Sequence, residues 1–362
     1  MPSGIPLSPR PLQDCVQRHG GAVRNDAHGV VRRLVAVSRA GAGDLAPLLG
    51  ARYVEDAVAA VGRGALLLID EALAVREDVA ALPGWFHPHA TWALAELLDA
   101  GDAPANDPVI GEDAKIGPGA VLMPRVTIGA RVTIGPGAVI GDVGFGWASG
   151  PGGATRSIPQ LGGVVIEDDV HIGALCTIAS GTLGPTILRK GVKLDAQVHV
   201  GHNCEIGAGT VIAAQSGLAG SVTVGRGVLM GGQVGVADHV VIGDGARIAA
   251  KSGVIGDIAS GSTVAGYPAV ERHRWLRGLA ELYRLAASRT GSTVPSSNSM
   301  RVSTHSVPPG DHEVSFPTGP PPASRLEPLK SSIPPSAGVP AGLRPEAIIR
   351  RTDPPKAAGE DS

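Results

Sequence analysis

An aliphatic residue returns every six positions through the middle of this chain, and no other feature restricts its fold so tightly. Stepping by six from Ile110 meets Ile116, Leu122, Ile128, Ile134 and Ile140. The step resumes at Ile166, Ile172 and Ile178, then runs from Leu188 through Leu194, Val200, Ile206, Ile212, Leu218, Val224, Met230, Val236, Ile242, Ile248 and Val254. Two residues earlier lies a second column of small or β-branched side chains, among them Val192, Val198, Cys204, Thr210, Ser216, Val222, Val228, Val234 and Val240. An amphipathic helix needs spacings of three and four, and a hairpin sheet alternates without six-residue punctuation, so neither accounts for the pattern. A parallel β-helix does. Each hexapeptide supplies one short strand and one turn, three make a triangular coil, and coils stack at roughly 4.8 Å, the ordinary interstrand spacing. The two columns then line the prism interior, each aliphatic side chain contributing about 1.5 to 3 kcal/mol on burial. Periodicity leaves the hand of the coil open.

The step breaks between Asp142 and Gly163, where GFGWASGPGGATRSIPQLGG intervenes, and again near Gly184 and Pro185. Long ordered excursions of this kind are disproportionately functional. Composition agrees with a turn-rich tower: aromatics make up 3% of the chain, against 52 glycines and 30 prolines, which leaves no core of interlocked rings. Flanking segments read differently. Residues 1–105 mix apolar runs such as GALLLIDEALAV with the helix-like ATWALAELLDA and predict a small α/β domain. The β-helix is expected over 106–267, with its excursion at 143–163. A basic amphipathic helix follows at 268–288, placing Trp275, Leu279, Leu282 and Leu285 at helical spacing beside Arg272, Arg274, Arg277 and Arg284. Residues 289–362 are rich in Pro and Ser and predict a disordered tail.

The formal charge of −2 carries no global footprint for nucleic acid or an anionic membrane, so no nucleic-acid partner is expected. Cys15, Cys176 and Cys204 form no CxxC pair and are odd in number, which argues against a disulfide framework and a cysteine zinc site. The first residues lack a secretory signal's apolar run and no segment reads as a transmembrane helix. A cytoplasmic protein, at most peripheral to the inner membrane, is expected.

The run VGFGWASGPGGATRSIPQLGGVVIEDDVHIGALCTI, then GVKLDAQVHVGHNCEIGAGTVIAAQSGLAGS and GGQVGVADHVVIGDGARIAAKSGV, resembles the UDP-3-O-(3-hydroxyacyl)glucosamine N-acyltransferases of lipid A biosynthesis, as does the ending AGYPAVERHRWLR. Hexapeptides alone are shared by many acyltransferases; the GFGxA loop, the IPQLG that ends it and the GHN motif are far more specific. The resemblance implies a left-handed parallel β-helix, an exception to the usual crossover hand. It also implies a homotrimer with active sites in grooves between neighbouring prisms. The donor it implies is a 3-hydroxyacyl thioester on acyl carrier protein, which brings its own 4′-phosphopantetheine, so the chain needs no cofactor or metal. The acceptor is a UDP-sugar lipid precursor bearing an amine. Residue by residue, His202 matches the family's general base, Asp195 its aspartate partner and Gly220 the backbone donor to the oxyanion. His239 matches a second, substrate-binding histidine, Asn203 completes the GHN motif as a substrate contact, and Arg52 and Tyr53 belong to the uridine-binding segment.

Spacing independently groups these residues. Gly220 lies eighteen residues after His202 and His239 nineteen after Gly220, so all three fall near one corner on successive coils. The chain also departs from the family. TIDRGAL reads here as Thr177, Ile178, Ala179, Ser180, Gly181, Thr182 and Leu183; Asn after the aspartate is Ala196; and F-x-x-N-P-K-Y reads as Pro47, Leu48, Leu49, Gly50, Ala51, Arg52 and Tyr53. Without the stacking aromatic, uracil binding is expected to be weaker. Alternatives are therefore a hexapeptide acyltransferase for another amino-sugar nucleotide, a non-catalytic β-helix paralogue, and a zinc enzyme like the γ-class carbonic anhydrases drawing on His199 and His202. The arginines of the last helix suit either docking of an acidic carrier protein or a solvated edge on a capping helix.

Overall fold

The computed structural model describes residues 4–101, 103–266 and 272–289. At the N-terminus lie β1 (Ile5–Pro11), α1 (Leu12–His19), β2 (Ala22–Arg24), β3 (Val30–Leu34), β4 (Asp44–Leu48), α2 (Val54–Gly62), β5 (Leu66–Asp70), α3 (Glu77–Ala80), β6 (Gly84–His87) and α4 (Ala90–Asp99). The strands form one sheet in the order β1-β3-β4-β5-β6-β2. Its middle is parallel, while β1 on β3 and β2 on β6 run antiparallel. One apolar cluster joins α2 to the sheet through Val54, Ala57, Ala60, Leu67, Ile69 and Phe86. The other joins α1 and α4 through Leu12, Cys15, Leu94, Leu97, Leu98 and Trp85, and also takes in Leu183 from the hexapeptide region. This is the expected small α/β domain, and its core is shared with the element that follows.

From Val109 to Val264 the chain winds as a left-handed parallel β-helix with three faces of seven, eight and seven strands. Pairing advances by one coil at a time: His199 lies beside Gly217, Gly217 beside Gly235, and Gly235 beside Gly253. Both sequence columns point inward, so that Val192, Val198, Cys204, Thr210, Val222 and Val228 are completely buried. The first coil is the exception: Ile110 and Ile116 stay exposed, because no further coil covers that end. Corners take left-handed residues in register, with φ of 60°, 61° and 58° at Asn203, Ser221 and His239. At another corner Gln197, Gln215 and Gln233 have φ of 60°, 62° and 58°, and their amides form a ladder with bonds of 2.9 and 2.7 Å. Such φ values cost a side-chain-bearing residue free energy that a polar side chain bonding locally offsets.

The excursion forms a hairpin of Trp147–Ser149 against Thr155–Ser157. It lies on α4, where the Arg156 guanidinium sits 5.0 Å over the Trp92 ring and pairs with Asp99 and Glu96. The last helix, α5, runs Arg272–Arg289. Leu282 and Leu285 of its expected apolar stripe are largely exposed, whereas Leu279 is partly buried. The chain through Ala286 is one compact unit, a second begins at Ala287, and the Pro/Ser-rich tail beyond 289 lies outside the described residues. No helix among the described residues is long and apolar enough to cross a membrane.

Candidate active site at one corner of the prism

His202 sits one residue before the left-handed Asn203, so its side chain leaves the prism at a corner rather than entering the core. The ring is half-buried and held between two glycines. A β-carbon on Gly220 would stand 2.5 Å from its Nε2 and 2.6 Å from its Cε1, and one on Gly144 of the excursion would stand 2.6 Å from its Cβ and 2.9 Å from its Cγ. Neither glycine has a positive φ, so what each position demands is space for the imidazole, not an unusual backbone. Coils are tied at this corner by Ser221 N–H donating to His202 O (2.7 Å) and His239 N–H donating to Gly220 O (3.0 Å). The Gly220 N–H itself has no backbone acceptor among the described residues. Burial, reinforced by the nearby imidazoles of His239 and His199, holds the His202 ring below the usual histidine range.

Behind His202 lies a chain of hydrogen bonds. Asn203 Nδ2 is 2.9 Å from His202 Nδ1 and also donates to Thr182 Oγ1 (3.0 Å), while Asn203 Oδ1 accepts from the Thr182 N–H (2.6 Å). Thr182 Oγ1 donates to Gln160 Oε1 (2.7 Å), and Gln160 Nε2 donates to the Ile158 carbonyl (3.1 Å). Two coils away, Tyr53 Oη is 2.7 Å from His239 Nδ1, the two rings meet edge-on at 5.9 Å, and Arg52 Nη1 donates to His239 O (2.9 Å). Burial, together with the Arg52 guanidinium, pulls the His239 imidazole down in pKa, against the opposing pull of Asp238. Two stretches far apart in sequence thus converge on a corner bearing two imidazoles, a free amide N–H and a guanidinium.

Family models match the same tract: the bacterial transferase hexapeptide model at residues 107–142 and 185–220, and the hexapeptide repeat of succinyl-transferase model at residues 163–196. The UDP-3-O-acylglucosamine N-acyltransferase of Aromatoleum aromaticum is 39% identical over 234 residues, covering 52% of this chain and 68% of its own. The chain belongs to the UDP-3-O-acylglucosamine N-acyltransferase family. The family member of Syntrophobacter fumaroxidans is 48% identical over 151 residues, 42% of each chain. With that of Christiangramia forsetii the match is 48% over 80 residues, so that the chain spans about a quarter (24%) of that relative's length. Among solved structures, the UDP-N-acetylglucosamine acyltransferase from Campylobacter jejuni aligns over 52% of this chain and 82% of its own at 24% identity and a TM-score of 0.38, too loose a likeness to place any side chain.

The geometry brings together His202 and Gly220 on one hand and His239, Arg52 and Tyr53 on the other. Two of the expected residues stand apart from this arrangement within one chain. Asp195 does not meet His202 within the chain. It is exposed at the preceding corner, seven residues and one face earlier, where its Oδ1 accepts from the Ala196 N–H (2.7 Å). Asn203 is not turned outward to a substrate, because its whole amide is engaged by Thr182 and His202. Sequence reasoning also missed Gly144, Gln160 and Thr182. The first two lie in motifs already singled out, GFGxA and IPQLG, but only closure of the excursion shows that Gly144 meets the imidazole and that Gln160 joins the bonds behind it. Thr182 stands where the family usually has Ala, and Ser180, where it usually has Arg, is buried and donates to Gly141 O (2.8 Å). No group of three or more His, Cys, Asp or Glu side chains within one chain's described residues is placed to hold a metal.

Proposed function

We propose that this chain transfers a 3-hydroxyacyl group from an acyl carrier protein thioester to the 2-amine of UDP-3-O-acyl-glucosamine, an N-acylation of lipid A biosynthesis. The observation that carries this reading is the His202 ring wedged against Gly220, whose N–H is free to receive an oxyanion. The amine nitrogen attacks the thioester carbon, the carbonyl oxygen gains negative charge beside the Gly220 N–H, and His202 acts as general base for the proton the nitrogen sheds. Collapse breaks the C–S bond and returns the proton to the departing thiol. A positioned base typically contributes about 100- to 10,000-fold, and an oxyanion donor about 3 kcal/mol. His239, Arg52 and Tyr53 would hold the nucleotide-sugar end.

A homotrimer and a cytoplasmic location belong to the same reading. Val211 and Leu229 are exposed on successive coils of one outer face, as a face packed on another prism would require. Asp195 would then serve a groove from a neighbouring copy. A purified chain given 3-hydroxyacyl carrier protein and UDP-3-O-acyl-glucosamine should release carrier thiol, and His202→Ala should lose at least a hundredfold in rate while folding normally. Equal rates would overturn the assignment, and binding of carrier protein without transfer would mark a paralogue that has lost catalysis. A second reading, another amino-sugar nucleotide as acceptor, is favoured by Pro47 and Gly50 in the uridine segment and by the engagement of Arg52 and Tyr53 with His239. Turnover with a different nucleotide sugar and none with UDP would establish it.

A further inference from the structure

The hydrogen bonds behind His202 have a direction, and both ends of the chain are backbone groups that admit only one. The Thr182 N–H can only donate, so the atom of Asn203 it meets at 2.6 Å is Oδ1, and the amide's NH2 must face His202. From the other end, the Ile158 carbonyl can only accept, so Gln160 turns its NH2 to it and its Oε1 to Thr182. Thr182 Oγ1 therefore spends its proton on Gln160 and offers its lone pair to Asn203 Nδ2. The two routes agree. We infer that Gln160, Thr182 and Asn203 are positioning residues that hold the resting His202 ring as the neutral tautomer protonated on Nε2, with its lone pair on Nδ1 facing the Asn203 NH2.

The consequence concerns how the ring meets a substrate. Its Nε2 edge lies against Gly220, so in the resting chain the ring turns an Nε2–H donor toward the residue whose own N–H has no backbone acceptor, and the first substrate atom to fit that edge is an acceptor oxygen. This deepens the acyl-transfer reading and rests on it in one respect: for Nε2 to take a proton from an amine, the ring proton must first shift to Nδ1, where the Asn203 NH2 opposes it. Protonation to the cation meets the same opposition, in addition to burial. The titratable groups whose charge bears on the ring are His239 and His199. Thr182, the position at which the chain departs from the family's usual Ala, closes the relay, and Gln160 is itself buried.

The test reads the proton directly. Full-length protein labelled with 15N-histidine, with the His202 signals assigned by their loss in His202→Gln, should show a protonated Nε2 and an unprotonated Nδ1 at neutral pH. In Asn203→Asp one carboxylate oxygen keeps the Thr182 N–H and the other accepts from Nδ1. The pattern should invert, the ring's pKa should rise, and the acid limb of kcat/KM should move up by the same amount. Thr182→Val keeps the backbone donor but removes the hydroxyl that takes one Asn203 amide proton and ties in Gln160, so the preference for Nε2 should weaken and some ring protonated on Nδ1 should appear. A wild-type ring protonated on Nδ1, or an Asn203→Asp ring unchanged from wild type, would overturn the inference. Because the spectrum needs no turnover, failure of the acyl-transfer reading would show separately as absent thiol release in a protein whose tautomer is as inferred.

Discussion

His202 is bounded by two missing β-carbons. Restoring either one tests whether the ring's position matters more than its presence. Gly220→Ala puts a methyl where Nε2 and Cε1 now lie, and since Gly220 needs no left-handed φ, the backbone accepts alanine; the ring must yield. At least a hundredfold loss of transfer with an unchanged melting temperature is expected, and the same for Gly144→Ala; a normal rate in both would show that the ring's seat is immaterial. Acidity gives a second handle. The folded chain keeps both His202 and His239 below the ordinary value near 6.5, so the unfolded chain takes up protons first as pH falls. Stability contributed by these neutral rings is complete above that value and is lost as pH drops through it toward the lowered folded values. A denaturant midpoint that falls less between pH 7 and 5 in His202→Gln than in wild type would verify the sign. At this scale the GHN motif made His202 and Gly220 legible, because eighteen residues separate them in a chain whose coil is eighteen long. Where Asp195 acts is not legible from the period, which fixes the corner a residue occupies but not what lies across it. The bonds of Asn203 were not legible because its partner Thr182 lies at the second break, near Gly184 and Pro185, off the regular step.

At the level of elements, the hexapeptide columns were legible almost completely, since burying one aliphatic side chain per turn leaves little freedom in placing strands. What they did not show is how the buried polar rungs, Thr210 and Ser216 among them, are satisfied. Thr210 Oγ1 donates to the Gly225 carbonyl (2.7 Å) and accepts from the Val228 N–H (3.1 Å); Ser216 bridges Gly231 and Val234 in the same way one corner on. Thr210→Val keeps the shape but strands a buried N–H and carbonyl, and should cost about 1–3 kcal/mol in denaturant unfolding. Ile206→Ala, deep in the same interior, should cost about 2–5 kcal/mol. If Thr210→Val proved neutral, the hydroxyl would be filling space and nothing more. The exposed Ile110 and Ile116 show the limit of a periodic argument: it gives the direction in which a side chain points, and burial there depends on whether a further coil follows.

On the scale of the whole molecule, the excursion belongs to two bodies at once. Ile158, Leu161 and Leu183 pack into the core beneath α4, and Arg156 is pinned by Trp92, Asp99 and Glu96, while the same stretch sets Gly144 on the His202 ring and Gln160 in its relay. None of this joining was visible in sequence, because the partners are separated by 22 residues or more and obey no period. Light scattering of the purified chain should give three times the 36.5 kDa monomer if prisms associate through their apolar outer faces. A monomer fully active in transfer would exclude a shared groove. Trp92→Ala should depress turnover severalfold with little change in overall helix and sheet content. The strap over the imidazole is thus moored to the smaller, less repetitive body, whose anchorage is only a few side chains deep. On warming, it should work loose while the stacked coils still stand, so that catalysis fails some degrees before circular dichroism reports any melting.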